Sequence, residues 1–172
     1  MPERSRWAVL LAVPLVWACA SLGLESGIRA PEISTADDRD PTLRLRLPAA
    51  GSPAGGATVR LWARVENPNA FSLTLSRLAG DLFLGDAEGI AVEFPLGVPL
   101  VARGDTVVPL DVALDFDDLP ALANAAFAAL GSGTLPYRLD ATIGVDAGLL
   151  GQPTFGPTTV LEGALRVVEH EP

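Results

Sequence analysis

The side chains that most often carry catalysis are scarce in this sequence of 172 residues. Its one histidine, His170, sits between Glu169 and Glu171 at the C-terminus. A Ser-His-Asp relay or a histidine-based metal centre would therefore have to be built on a chain end, where order is poorest. No lysine is present for Schiff-base chemistry, because all 12 basic residues are arginines. Carboxylates occur in two clusters, Asp37-Asp38-Arg39-Asp40 and Asp115-Phe116-Asp117-Asp118. A calcium loop needs oxygen ligands at regular offsets, a glycine at the turn and a closing glutamate, and neither cluster provides them. The first reads as a solvated segment before Pro41, and the second as a strand end with a helix cap. Glycine-rich stretches lack the Gly-Lys-Ser/Thr ending and the Gly-x-Gly-x-x-Gly spacing that cradle phosphates. No catalytic residue, metal ligand or cofactor is expected, and the chain is read as a non-enzyme.

One residue does point to chemistry. Cys19, the only cysteine, follows Val16-Trp17-Ala18. Arg4 and Arg6 form a short positive segment, and Trp7 to Trp17 an uncharged, mostly apolar one, which together read as an export signal over residues 1–18. That stretch falls short of the ~20 apolar residues that span a bilayer. Val16, Ala18 and Cys19 resemble a bacterial lipobox, from which Trp17 departs at the middle position. The alternative is an ordinary secretory cleavage at Ala18-Cys19-Ala20, giving a soluble periplasmic protein. An odd cysteine in an exported chain favours acylation. Each buried acyl methylene contributes ~0.8 kcal/mol, and two chains anchor stably. Residues 19–31 then read as the lipidated cysteine and its tether. Ala20 after the cysteine resembles the sorting signal for an outer-membrane lipoprotein facing the periplasm.

Charge narrows the partners further. The formal net charge is −9 and no segment clusters arginines, so the footprint of a nucleic-acid binder is absent. Without residues 1–18 the chain keeps 10 basic and 20 acidic residues, net −10. Electrostatic docking on anionic lipid is therefore disfavoured, leaving acyl chains on Cys19 as the contact with the membrane. Protein partners are left open by the sequence.

The elements that must position any working surface are mostly strands. Apolar residues alternate with polar ones at Leu43–Leu47, Val59–Glu66, Val108–Phe116, Leu135–Val145 and Leu161–Val167, which is the period of strands with one buried face. Shorter apolar runs lie at Phe71–Leu75, Asp81–Leu84 and Gly89–Phe94. Turn signals separate them, among them Gly85-Asp86, Arg103-Gly104-Asp105 and Gly131-Ser132-Gly133. Seven to eight short antiparallel strands predict an all-β sandwich. Residues 118–130 break the pattern: they are alanine-rich, with an Asp available as cap, Pro120 in the first turn and Gly131 past the end, and predict one helix. Leu119, Leu122, Ala126, Phe127 and Leu130 fall near one face of it, expected to lie on the sandwich. Leu96–Val101 is uncharged and is expected to cross the core, with a groove lip as the alternative; Trp62 and Leu84 are the other apolar residues left open.

Asn67-Pro68-Asn69 follows the strand ending at Glu66. Asn bonds readily to nearby backbone and Pro fixes φ, so the trio reads as a structural corner; a ligand contact from Asn67 or Asn69 is the alternative. The run Val65-Glu66-Asn67-Pro68-Asn69-Ala70-Phe71, with the strands and single helix in their order, resembles the late embryogenesis abundant type 2 family, also known as the water-stress and hypersensitive-response (WHy) domain. The resemblance covers most of residues 32–169, leaving 170–172 as a tail. It implies a fibronectin type III-like or immunoglobulin-like sandwich with one helix, and bacterial members that are short lipoproteins. It also implies a role in desiccation and stress tolerance. Some relatives have an apolar groove proposed to hold lipid, so a lipid or apolar small-molecule binder, using a groove between helix and sheet, is the second expectation. A structural protein-interaction module using a sheet edge is the third.

Overall fold

The computed structural model describes residues 27–168. Eight strands and one helix follow in the order β1 (Glu32–Thr35), β2 (Thr42–Arg46), β3 (Gly56–Glu66), β4 (Leu73–Leu84), β5 (Ile90–Leu100), β6 (Asp105–Asp115), α1 (Pro120–Ser132), β7 (Thr134–Asp146) and β8 (Thr154–Val168). The predicted all-β class with one short helix is what forms. β3 centres one layer, with β6 antiparallel along its full length and β1 and β2 sharing its other side. β8, β7, β4 and β5 make the second layer in that spatial order. The strands are not all antiparallel as expected: β2 runs parallel to β8, pairing Thr42 with Arg166 and Arg44 with Val168. This short parallel pairing joins the layers at one edge into a single mixed sheet that does not close. Its edge strands are β1, β5 and β6, and the two long ones, β5 and β6, are interrupted by prolines (Pro95, Pro99, Pro109) that withhold ladder donors and discourage further strand addition.

Alternation explains which faces meet. Ala57, Val59, Leu61, Ala63 and Val65 of β3 are buried, as are Leu135, Tyr137, Leu139, Ala141, Ile143 and Val145 of β7, and one continuous core unites both layers. The outer face of β3 is polar. Arg60 forms a two-pronged pair with Asp111 of β6 (2.6 and 2.8 Å), and the Arg39 guanidinium lies 4.5 Å over the half-buried Trp62 ring.

Several expected boundaries are corrected. The runs expected at Phe71–Leu75 and Asp81–Leu84 fall on one strand, β4, which begins at Leu73. A bulge between Leu75 and Arg77 shifts the register, so the buried residues change parity from Leu73 and Leu75 to Leu78, Leu82 and Leu84. The Leu96–Val101 run continues β5: Leu100 is buried, Leu96 and Val98 half-buried and Val101 exposed. β1 adds a strand that was not expected. Ile28 and Pro31, within the stretch 19–31 read as a tether, are buried against the domain. The helix lies two residues later than predicted. Pro120 opens it, Asp118 does not cap it, and it continues through Gly131 to Gly133, whose left-handed φ of 74° and N–H to the Ala129 carbonyl (2.7 Å) end it. Only part of the predicted apolar face is buried. Leu122, Ala126 and Ala129 pack inward, whereas Phe127 and Leu130 are exposed, Phe127 tilted against the Phe116 ring at 5.9 Å.

Candidate functional site

Two places satisfy the requirements of a working surface, and they lie at opposite ends of the sandwich. The strand register puts one end at the last residues of β3, β5 and β7 and the first of β1, β4 and β6. Leu73 pairs with Leu100, Thr74 with Asp146, and Glu66 with both Glu32 and Asp105. α1 occupies the other end, between the close of β6 and the start of β7.

The Asn67-Pro68-Asn69 corner organises the first end. Asn67 is fully buried, yet its amide is completely used. Nδ2 donates to the carbonyls of Phe71 (2.9 Å), Leu100 (3.3 Å) and Val101 (3.0 Å), and Oδ1 accepts from the backbone N–H and from Nδ2 of Asn69 (both 3.0 Å). Asn69 reaches the other way. Its Oδ1 accepts from the Arg29 N–H at 2.8 Å and its Nδ2 donates to the Arg29 carbonyl at 2.9 Å, so one side chain imitates a neighbouring strand. The Asn69 carbonyl accepts from the Arg103 N–H at 3.0 Å, and the Asn67 N–H donates to Gly104 at 2.9 Å. The trio thus binds the loop after β3, the β5–β6 loop and the N-terminal lead into one unit. Buried amides are retained when they are satisfied, and no buried side-chain polar atom among the described residues lacks a partner. With every polar atom of both amides engaged inside the protein, the corner reading accounts for the geometry without a ligand. Sequence reasoning missed Arg29 and the Leu100 and Val101 carbonyls, because the partners are backbone groups remote in sequence.

At the other end a cavity of about 470 Å³ opens between α1, the start of β7 and the β4–β5 turn. Gly85, Ala121, Ala125, Ala129, Leu135 and Pro136 are among the residues that line it. From Leu119 through Tyr137 the chain carries no charge, so small apolar side chains make up most of the wall. Its volume falls within the ~300–1,000 Å³ of ligand sites. Leu84 is buried in the core and is not among the lining residues.

Acid–base chemistry finds little to work with at either end. Hydrogen bonding to Arg60 holds the Asp111 carboxyl below the usual carboxylate range, and the same bond raises the Arg60 guanidinium; this pair is on the solvent face of β3 and β6. Among the described residues no three His, Cys, Asp or Glu side chains gather to hold a metal ion, and no helix is long and apolar enough to cross a membrane. Residues 1–18, Cys19 and His170 lie outside the described residues.

The family model for late embryogenesis abundant proteins, LEA_2, matches residues 63–159, more than half of the chain. The chain belongs to this family. As an LEA_2 chain it is a stress- and desiccation-related protein, and the matched segment runs from β3 through the Asn67–Asn69 corner and α1 into β8. The fold is similar to a solution structure from Arabidopsis thaliana, with a TM-score of 0.53 and 18% identity over 84% of this chain and 86% of that one. A solution structure of a late embryogenesis abundant (LEA) protein aligns with a TM-score of 0.49 and 18% identity, over 84% of this chain and 75% of that one. A crystal structure from Archaeoglobus fulgidus aligns at 0.43 and 12%, over 74% and 95%. No curated protein matches the sequence.

Proposed function

We propose that this LEA_2 chain is a non-enzymatic bacterial lipoprotein of the WHy type, anchored through acyl chains on Cys19 and acting in desiccation and stress protection at the periplasmic face of the outer membrane. The observation that carries the reading is the clamp on the N-terminal lead. Ile28 is buried and the Arg29 backbone is held at both polar groups by Asn69, so the folded domain begins only nine peptide links after Cys19. Such a lead keeps a folded body close to the bilayer without a spanning helix. Replacing Cys19 by Ser in cells is expected to move the protein from the membrane fraction to the soluble periplasmic fraction. Persistence of the variant in the membrane fraction would remove the acyl anchor from the reading.

A second reading, favoured by the mostly apolar cavity beside α1, whose lining includes one carboxylate, Asp86, is the binding of a lipid tail or another apolar molecule there. The domain purified without its signal is expected to retain such a molecule in native mass spectrometry. Ala125→Trp, which fills the cavity from the helix, is expected to abolish retention while leaving the fold intact. A wild-type domain carrying no adduct after extraction from cells would count against this use of the cavity.

A further inference from the structure

We propose that the end of the sandwich bearing the Asn67–Asn69 corner is a bilayer-contact face, on which Leu149 and Leu150 dip among the acyl chains of a phospholipid surface. The inference rests on the anchoring reading above and adds to it an orientation and a contact site.

Three observations converge on this face. The first is the loop itself. Between β7 and β8 the chain reads Ala147-Gly148-Leu149-Leu150-Gly151-Gln152-Pro153, without a charge, and presents Leu149 fully exposed and Leu150 57% exposed. Val101, on the β5–β6 loop at the same end, is 63% exposed.

The second observation is that this loop pairs part of its own backbone. Ala147 N–H donates to Gly151, Leu150 N–H to Ala147 and Gly151 N–H to Gly148, at 2.9 to 3.2 Å. Asp146 takes the Gly148 N–H at 2.8 Å and the Gln152 amide at 3.2 Å. Gly148 and Gly151, with φ of 62° and 97°, permit the tight turn that pushes both leucines outward. Each N–H paired within the turn is one fewer polar group to strip of water in apolar surroundings, where an unpaired N–H or C=O is penalised heavily.

The third observation is where the lead enters. Phe127 and Leu130 on α1 offer a competing apolar surface at the opposite end. Nine peptide links from Cys19 to Ile28 cannot span more than ~32 Å. The 12-residue strand β4 runs from one end to the other and is ~36 Å long, with α1 beyond it. An acylated Cys19 therefore holds the corner end near the membrane and keeps α1 from standing on it. Arg29 and Arg103 are exposed at the same end together with the acidic Glu32, Glu66 and Asp105, so the contact rests on the apolar leucines and the tether and not on net charge.

The full chain, purified with its acyl groups, can be tested in phosphatidylcholine vesicles. Because Cys19 is the only cysteine, Leu149→Cys or Phe127→Cys introduces the one thiol free for an environment-sensitive fluorophore. With brominated lipid in the vesicles, the probe at 149 is expected to lose at least half its emission and shift to the blue, while the probe at 127 changes by less than a tenth. Vesicle flotation is run on the same samples. Protein that floats while the probe at 149 stays unquenched, or is quenched no more than the probe at 127, overturns the proposed face and leaves the anchor standing. A probe at 149 shielded from both lipid-borne and soluble quenchers indicates a protein partner and also overturns it. Protein that does not float removes the anchor, and the proposal with it.

Discussion

Asn67→Ala is expected to lower the stability of the domain by about 3 kcal/mol or more, the largest loss for any polar substitution in the described residues. The side chain is fully buried and serves three carbonyls and two donors of Asn69. Truncation strands the carbonyls of Phe71, Leu100 and Val101 where water does not readily replace the lost donor, and each stranded buried group costs ~1–3 kcal/mol. Asn67→Asp should be at least as damaging, since the shape is kept but the donor becomes an acceptor facing carbonyl oxygens. Pro68→Ala keeps every one of these bonds and should cost about 1 kcal/mol, mainly by loosening the unfolded chain. Urea denaturation followed by tryptophan fluorescence measures all three. A loss below about 1 kcal/mol for Asn67→Ala would show that water or a local rearrangement replaces the amide, and the corner would no longer explain the order of this end.

Gly80→Ala is expected to be comparably severe, by a different cause. Gly80 lies in the middle of β4, paired with Ala141 of β7 and Val92 of β5. A Cβ there would run into the Asp140 carbonyl oxygen and the Ala141 Cα, both backbone atoms that cannot swing aside. The two central strands of the second layer would have to separate, and overpacking of this kind costs ~1–3 kcal/mol or occasionally more. We expect a value near the top of that range, about 3 kcal/mol. Gly97→Ala provides the comparison. Gly97 has open space around its Cβ position and a φ of 63°, so the substitution carries only the left-handed backbone penalty of ~1–2 kcal/mol. Midpoints of thermal unfolding should therefore fall further for Gly80→Ala than for Gly97→Ala. The reverse order would mean that β4 and β7 accommodate the methyl by sliding.

What could be read from the sequence was what depends on neighbours along the chain. The faces of β3, β6 and β7 follow from strict alternation: Val59, Leu61 and Val65 point inward as expected, and so do Leu139, Ile143 and Val145. The helix was legible from its alanines, and its ends were misplaced because Pro120 and Gly133, rather than Asp118 and Gly131, set them. What escaped was governed by pairing across the sheet. The bulge between Leu75 and Arg77 made one strand look like two, and the parallel β2–β8 pair leaves no local trace in Thr42–Arg46. The candidate sites divide in the same way. Asn67 and Asn69 were recognisable as a corner from their chemistry, whereas the clamp on Arg29 depends on a contact 40 positions away. Leu149 and Leu150 gave no signal because a two-leucine run between glycines has no period, and only the fold shows that it is left outside.

The pairing of β2 with β8 bears on the order of events during synthesis. A ribosome delivers Thr42 long before Arg166, yet these residues are partners, and the Arg166 N–H also bonds the Pro41 carbonyl at 2.8 Å. Until almost the last residue of the domain has emerged, β2 has only β3 beside it, and β7 lacks the strand that covers its far side. Closing so long a loop is slow, and folds dominated by such distant pairings form in roughly milliseconds to seconds. A nascent chain of this sequence consequently stays unfinished until the residues of β8 have been made.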